Sequence, residues 1–325
     1  MEDWLKADLQ DAYGLTVTAA EPVAGGWMNC KWRVFASDGD WLVKTFSRAR
    51  YGRQAQLDAI AAALERQMAL HAAGIPCPEL RTCGRRPLRV LEDGRAYTVM
   101  RFCAGQVLDS ETVTLRQLRS LGGVRGEMQR VFDRLPADGA KGYPFNAAAA
   151  LAQLRAYCDA REAELTAEMP ADYAAVVRAQ RPILDTITPQ WLAAQPMGLA
   201  HEDFSPDNML FDDMGVSAVL DFDRSQYGFV RHDLARALLS FALRGNALDA
   251  GAVVALLDGY AGYHRLTARE AADALRVAWV VEAPWWINPN GYAAESPKVR
   301  RFYRELCWVS ENWFGLDRIW ENIEF

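Results

Sequence analysis

His201-Glu-Asp-Phe-Ser-Pro-Asp-Asn208 and, a few residues on, Val219-Leu-Asp-Phe-Asp223 form the stretch on which the reading of this chain turns. Met209-Leu-Phe211 and Val216 to Leu220 are short apolar runs on either side of Asp212-Asp-Met-Gly215, a pattern that predicts a hairpin. Residues 198–208 carry no sustained periodicity and read as an irregular stretch. A tight hairpin brings its outer ends side by side, so Asn208 and Asp221 are expected to face one another. Asp221 closes an apolar strand, where a lone buried carboxylate is costly. A cation shared with Asn208 removes that cost.

The spacing His-x-Asp-x-x-x-x-Asn followed by an Asp across a hairpin suits phosphoryl transfer. The moving group is anionic, so such a site needs held cations more than a strong nucleophile of its own. Asp203 is placed to accept or orient the proton of an acceptor hydroxyl. Asn208 and Asp221 offer oxygen donors, which the hard cation Mg²⁺ prefers. The bland alternative for the octapeptide is an Asx-turn with a capping Asn. Asp223 is open to three roles: a further metal ligand, an acceptor behind the metal, or a plain turn residue.

Working outward, the first hundred residues read as strands with one helix among them. Residues 17–24, 29–36 and 41–46 are β-rich runs, and Asp38-Gly39 marks a hairpin. Leu57, Ile60, Leu64 and Met68 recur at helical spacing over 54–73, and Gly74 and Pro76 stop that helix. Two further strands are expected at 85–91 and 96–102, giving five in all. Gly25 and Gly26 lie between the first two strands, where glycine lets backbone N–H groups approach phosphates. An ordinary turn explains them equally well. Trp41-Leu-Val-Lys44 ends an apolar run in a lysine, and Glu65 lies one residue from the helical stripe. A Lys44–Glu65 pair that clamps phosphates is one reading; two unrelated surface charges is the other.

Residues 112–134, 146–168, 170–193, 232–243, 249–264, 267–283 and 298–313 are rich in helix formers. The chain therefore reads as α+β, with an antiparallel β-rich lobe over 1–104 and a larger helical lobe over 105–325, the join lying near Gly105. The segment 279–292 holds Trp279, Trp285, Trp286 and Glu282. Aromatic faces beside a carboxylate can hold an amine, although tryptophans mostly fill cores. Trp308, Trp313 and Trp320 are expected in the core, and His71, His232 and His264 in structural roles.

With 36 Lys and Arg against 42 Asp and Glu, the net charge of −6 disfavours a general nucleic-acid binder. Local basic patches remain at 81–89 and 298–304. Six cysteines are scattered without CxxC spacing and only four histidines are present, so reduced thiols in a cytoplasmic protein are expected rather than a zinc site. The first residues, Met-Glu-Asp-Trp-Leu-Lys, do not read as a signal peptide. No apolar run approaches the ~20 residues that span a bilayer, so no membrane partner is expected.

A Gly-rich turn, a strand Lys, a helix Glu, a glycine-marked join, HxDxxxxN, a hairpin and Asp-Phe-Asp occur in that order. In this order the chain resembles the aminoglycoside phosphotransferase and choline/homoserine kinase superfamily, small-molecule relatives of the protein kinases. The similarity runs from about Pro22 to Leu239. It rests on Gly25-Gly-Trp-Met-Asn29 with Lys31-Trp-Arg-Val34, on His201 to Asn208, on Leu220-Asp-Phe-Asp223, and on Tyr227-Gly228 with His232-Asp-Leu-Ala235. The resemblance implies a two-lobed protein-kinase-like fold and an ATP- and Mg²⁺-dependent transfer to a small-molecule hydroxyl. It implies Asp203 as catalytic carboxylate and Asn208 and Asp221 as Mg²⁺ ligands. Gly25, Gly26, Lys44, Glu65, Met100 and Phe102 are then expected at the nucleotide. Asp233 is expected as a buried acceptor near the catalytic loop, and Asp223, Glu282, Trp285 and Trp286 near the acceptor. A monomer or homodimer is expected.

Three departures from the family pattern stand out. Glu202 stands where many members carry glycine or arginine, and is expected to face away from the phosphates. Gln129 follows Leu121-Gly-Gly-Val-Arg-Gly-Glu-Met128 where the family stretch usually continues to His. No Ala-Pro-Glu segment follows Asp221, which disfavours a protein kinase with a regulated peptide groove. A compact protein Ser/Thr kinase and a catalytically silent nucleotide-binding scaffold are the alternatives. Retention of Asp203 argues against the second. An arginine for a carboxylate would favour homoserine or another hydroxy amino acid as acceptor, an aromatic box choline, and a strongly acidic pocket an aminoglycoside.

Overall fold

The computed structural model describes residues 1–23, 29–137 and 143–323. Helix α1 (Asp3–Tyr13) leads into strands β1 (Val17–Pro22), β2 (Lys31–Ala36) and β3 (Gly39–Phe46). The short α2 (Arg48–Tyr51) and long α3 (Gln54–Ala72) follow, then β4 (Leu80–Arg81), β5 (Leu88–Val90) and β6 (Ala96–Arg101). All pair antiparallel, in the order β1-β2-β3-β6-β4, with β5 also on β6. The sheet has six strands rather than the five expected. Residues 85–91 do not run as one strand, because Gly84 and Arg85 both take positive φ and turn the chain before Leu88. The two-residue β4 is too short to leave an alternation in the sequence.

Side chains alternate across a strand, and here both faces are covered. Trp41, Val43, Tyr97 and Val99 pack with Leu5, Leu9 and Tyr13 of α1. Phe46, Ala96 and Met100 pack with Leu57, Ile60 and Leu64 of α3. Asp8 ties α1 to the sheet through Arg89 and the Tyr97 hydroxyl. Lys44 has the parity of Leu42 and Phe46, so β3 delivers it to the α3 side. Helix α1 was not foreseen, although Leu5, Leu9 and Tyr13 are spaced for one helix face.

The remainder is mainly helical: α4 (Leu115–Phe132), α5 (Ala147–Ala163), α6 (Ala171–Thr186) and α7 (Pro189–Ala193). Strands β7 (Met197–Ala200), β8 (Met209–Phe211), β9 (Val216–Val219) and β10 (Gln226–Phe229) come next. Helix α8 (Val230–Ala242), the small ladder β11 (Leu243–Arg244) and β12 (Ala247–Leu248), and α9 (Ala250–Tyr260) follow. The chain then runs through α10 (Ala268–Trp286), α11 (Pro289–Tyr292), α12 (Pro297–Asn312) and α13 (Leu316–Glu321). The predicted hairpin is β8–β9, and β10 pairs with β7 to frame it. Trp308, Trp313 and Trp320 lie in the core as expected, with Trp279 beside them. The mixed sheet and helix content is α+β.

Helices α4 and α9 cross with almost no space between backbones, because Gly122 and Gly259 sit at the crossing. A Cβ at Gly122 would lie 1.9 Å from Leu256 O and one at Gly259 2.0 Å from Arg119 O, both far inside van der Waals contact. Gly105 serves a similar purpose at the join. A Cβ there would lie 2.5 Å from Ser217 Oγ and 2.8 Å from Leu210 Cβ. The chain leaving the sheet thereby runs against the β8–β9 hairpin, and Gln106 exchanges two backbone hydrogen bonds with Phe211 (2.8 and 2.9 Å). Among the described residues, no helix is long and apolar enough to cross a membrane. All six cysteines are free thiols.

Candidate active site

The loop after β7 is held from below by one buried carboxylate. Asp233, wholly buried in the first turn of α8, accepts the backbone N–H groups of His201 and Glu202, both at 2.9 Å. Arg125 of α4 lies 3.2 Å from the same carboxylate and donates to Val230 O at 2.6 Å. A buried pair of this kind is expensive to break from one side, by about 3–5 kcal/mol, so the loop that carries Asp203 has a rigid floor. His201 ties that loop to the neighbouring strand. Its Nε2 is 3.0 Å from Leu220 O, and its Nδ1 accepts the Asp203 N–H at 3.3 Å.

Asn208 and Asp221 are brought together as the hairpin predicts. Leu220 N–H donates to Asn208 O at 2.8 Å, which sets Asp221 beside the start of β8. The Asn208 amide nitrogen donates to Asp203 O at 2.9 Å, leaving its amide oxygen as a donor atom for a cation. Asp221 adopts φ +60°, ψ +62°, a left-handed conformation that non-glycine residues seldom take outside functional sites.

Two lysines close on this carboxylate. Lys44, only 3% exposed, lies 2.6 Å from Asp221 and 2.5 Å from Asp223. Lys31 stands directly across the β2–β3 ladder from Lys44 and reaches Asp221 at 3.5 Å. Burial opposes the Lys44 ammonium, but Asp223 and Asp221 outweigh it and hold its pKa above the usual lysine value. Burial likewise works against the Asp221 charge, yet Lys44 and then Lys31 keep its carboxyl below the usual range. At Asp223 burial wins: opposed by Lys44 but reinforced by the charge of Asp221, it pushes the carboxyl up. The oxygen donors of Asn208 and Asp221, the second held ionised, fit a hard divalent cation. Lys31 was not singled out from the sequence, because its approach depends on the strand register.

Glu65 is a correction. It is exposed on α3, and among the described residues Lys44 pairs with the two aspartates and not with it. The neighbouring Arg66 is the residue that reaches inward, donating to Ser225 O at 2.6 Å. Gly25 and Gly26 lie outside the described residues. Met100 is buried in the sheet–α3 core, and the Phe102 N–H already donates to Asp40 O at 3.0 Å while its ring stacks under Arg33.

A cleft of about 990 Å³ opens beside Asp203 and Asp223, between α2–α3 on one side and β10, α8 and α10 on the other. Glu202 lines it, contrary to the expectation that it faces away. The reason is local: Glu202 takes φ +66°, and Gly228 leaves the space its carboxylate fills. A Cβ at Gly228 would lie 2.2 Å from Glu202 Oε1. Burial pushes the Glu202 carboxyl up to about 7. Glu282, Trp285 and Trp286 also line the cleft, but Glu282 is not free for a ligand amine. It takes His232 Nε2 at 2.8 Å, Arg236 Nε at 3.2 Å and the Trp286 indole at 3.1 Å. Burial alone would raise its carboxyl; Arg236 and His232 reverse that and hold it low. Arg236 is in turn held by Glu305 at 2.7 Å. Trp285 stands largely in the open, so the two tryptophans do not form a closed aromatic box.

A protein-family model described as the phosphotransferase enzyme family matches residues 19–270. The chain belongs to this family. Homoserine kinase of Granulibacter bethesdensis is 25% identical over 291 residues, which cover 85% of this chain and 84% of that protein. Homoserine kinase of Beijerinckia indica subsp. indica is 32% identical over 124 residues, or 35% of this chain and 38% of that protein. The chain thus spans under half the length of that relative. A microcompartment-associated aminopropanol kinase shares the fold at TM-score 0.64 and 15% identity, covering 96% of this chain and 98% of its own. Amicoumacin kinase in complex with AMP-PNP, Ca²⁺ and Ami does so at TM-score 0.63 and 14% identity, covering 97% of each. The two-lobed kinase-like fold that the resemblance implies is the fold these solved structures share with the chain.

Proposed function

We propose that this phosphotransferase moves the γ-phosphate of ATP, used with Mg²⁺, to a hydroxyl of a small acceptor bound in the cleft beside Asp203. The observation that carries the reading is the joint placement of Asp203 on that cleft and of Asn208 and Asp221 across the hairpin, with Lys44 between Asp221 and Asp223. In this reading Asp203 accepts the hydroxyl proton. The acceptor oxygen forms its bond to the γ-phosphorus, the bond from that phosphorus to the β–γ bridging oxygen breaks, and ADP leaves. Lys44 and Lys31 supply positive charge for the phosphates. Asn208 and Asp221 hold Mg²⁺, which supplies charge neutralisation on the phosphate oxygens when bound. Residues 1–104 serve the nucleotide, and residues 105–325 carry catalysis and the acceptor.

The test is MgATP turnover against a panel of amino alcohols, hydroxy amino acids, sugars and aminoglycosides. Asp203→Ala should lower phosphate transfer by roughly 10²–10⁴-fold, the contribution typical of a positioned general base, with nucleotide affinity little changed. Absence of any thermal stabilisation of the wild type by ATP with Mg²⁺ would sink the reading.

A further inference from the structure

The two walls of the cleft carry opposite charge, and each ends in a group without a natural counter-ion. On the α3 wall Arg66 is half-buried, and among the described residues its guanidinium meets only the Ser225 carbonyl, with no carboxylate in ion-pair contact. Burial lowers its pKa below the usual arginine value, and the charge of the exposed Glu65 beside it offsets this only in part. Arg53 and Arg224 line the same side, also without an ion pair among the described residues. Asp58 lies eight residues earlier on α3, roughly 12 Å along the helix, too far to neutralise Arg66.

On the opposite wall Glu202 is the unsatisfied group. Among the described residues its Oε1 is buried without a hydrogen-bond partner. The nearest cationic candidate, His232 Nδ1, is 4.0 Å away and is itself unpartnered, a distance too long for a hydrogen bond. Of the other carboxylates on the cleft, Asp223 is held by Lys44 and Glu282 by His232 and Arg236, while Asp203 is the group assigned to the acceptor hydroxyl. Arg236 is shared between Glu282 and Glu305, so it is not a free site for an anion. Arg66 docks on Ser225 and the Gln226 side chain reaches Glu202, so adjacent residues hold the two poles. Consecutive Cα atoms lie about 3.8 Å apart, so the two poles are anchored at neighbouring points of the chain. Both are within reach of one small molecule.

We propose that the acceptor is a zwitterion, a hydroxy amino acid whose carboxylate is taken by Arg66 and whose ammonium is taken by Glu202. This rests on the cleft being the acceptor site. It names Arg66 and Glu202 as the residues that select a hydroxy amino acid over an amino alcohol or a hydroxy acid.

Steady-state kinetics at saturating MgATP compare three acceptors on one carbon chain: homoserine, 3-aminopropanol, which lacks the carboxylate, and 4-hydroxybutyrate, which lacks the amine. The wild type should favour homoserine over each by tenfold or more in kcat/KM. Arg66→Met should cut the homoserine-to-aminopropanol ratio by roughly 10- to 100-fold, the range of one lost hydrogen bond between charged groups. Glu202→Gln should cut the homoserine-to-hydroxybutyrate ratio over a similar range. Gly228→Ala, which displaces the Glu202 carboxylate without touching its charge, should act in the same direction. Stabilisation by MgATP reports that each variant is folded, and Arg66→Lys gives an intermediate ratio if charge alone matters in part. Equal or better turnover of aminopropanol by the wild type, or ratios unmoved in both variants, overturns the proposal while leaving the kinase reading intact. No transfer to any hydroxyl acceptor in the wider panel overturns both.

Discussion

Neighbouring glycines in α4 should respond to the same substitution with opposite sign. At Gly123 a methyl group meets nothing closer than Gly259 O at 3.9 Å, an ordinary contact. Gly123→Ala then gains only the helix propensity difference, about 1 kcal/mol of stability. At Gly122 the same methyl group would lie 1.9 Å from Leu256 O and 2.9 Å from Tyr260 N. The obstacle is backbone, so no rotamer change relieves it, and α4 and α9 must separate. Overpacking typically costs 1–3 kcal/mol. Taking the upper end and subtracting the ~1 kcal/mol of propensity leaves Gly122→Ala destabilised by about 2 kcal/mol. The displacement also reaches the active site, because Arg125 lies three residues along α4 and holds Asp233 beneath the catalytic loop. Turnover should therefore fall in Gly122→Ala and not in Gly123→Ala. Urea denaturation of the three proteins, with MgATP turnover measured alongside, is the assay. A Gly122→Ala midpoint equal to wild type, or a Gly123→Ala protein weaker by more than about 1 kcal/mol, would refute the packing argument.

Two further outcomes are expected. Asp221→Ala should abolish the Mg²⁺-dependent part of nucleotide binding, read as thermal stabilisation by ATP with and without Mg²⁺, whereas Asp223→Ala should retain it; the reverse result would exchange the two roles. Glu202 gives a pH signature: its carboxyl moves from an ordinary 4.5 to about 7 on folding, so the folded state binds the extra proton between those values. Its stabilising contribution is present below pH 4.5 and is lost as pH rises through 7, amounting to up to about 3 kcal/mol. The groups facing it are His232 and Asp233 of α8, Glu282 of α10 and Gln226 of β10, so the wild-type minus Glu202→Gln difference is the quantity to follow. A difference that is flat from pH 4.5 to 8 would show that Glu202 is ionised at no cost.

What could be read from the sequence follows from how locally each feature is determined. Asn208 and Asp221 were legible as a pair because a tight hairpin fixes which residues meet. Asp233 was legible as a buried acceptor from its place in the motif, and the structure gives it two loop N–H groups and Arg125. Glu65 failed because helix phase is unforgiving: successive residues point about 100° apart. The inward position thus fell to Arg66. Glu202 failed because its direction depends on a left-handed φ and on Gly228, neither visible from the octapeptide alone. Lys31 required a register that local propensity does not supply. Helix α1 did carry a signal, in Leu5, Leu9 and Tyr13, which the search for strands passed over.

In the proposed reading, the charges around Lys44 link nucleotide binding to metal binding. Two lysines, Lys31 and Lys44, face two aspartates, Asp221 and Asp223, so the group is balanced as it stands. Like charges opposite each other on a ladder are unfavourable, so Lys31 and Lys44 tolerate their register only while the aspartates are present. Lys44 already touches a carboxylate on either side, and to meet a phosphate it has to loosen at least one of these contacts. If Lys44 releases Asp221, Lys31 at 3.5 Å is the cation that remains beside that carboxylate. Among the described residues it is Asp223, and not a glutamate of α3, that pairs with Lys44 beside Asp221.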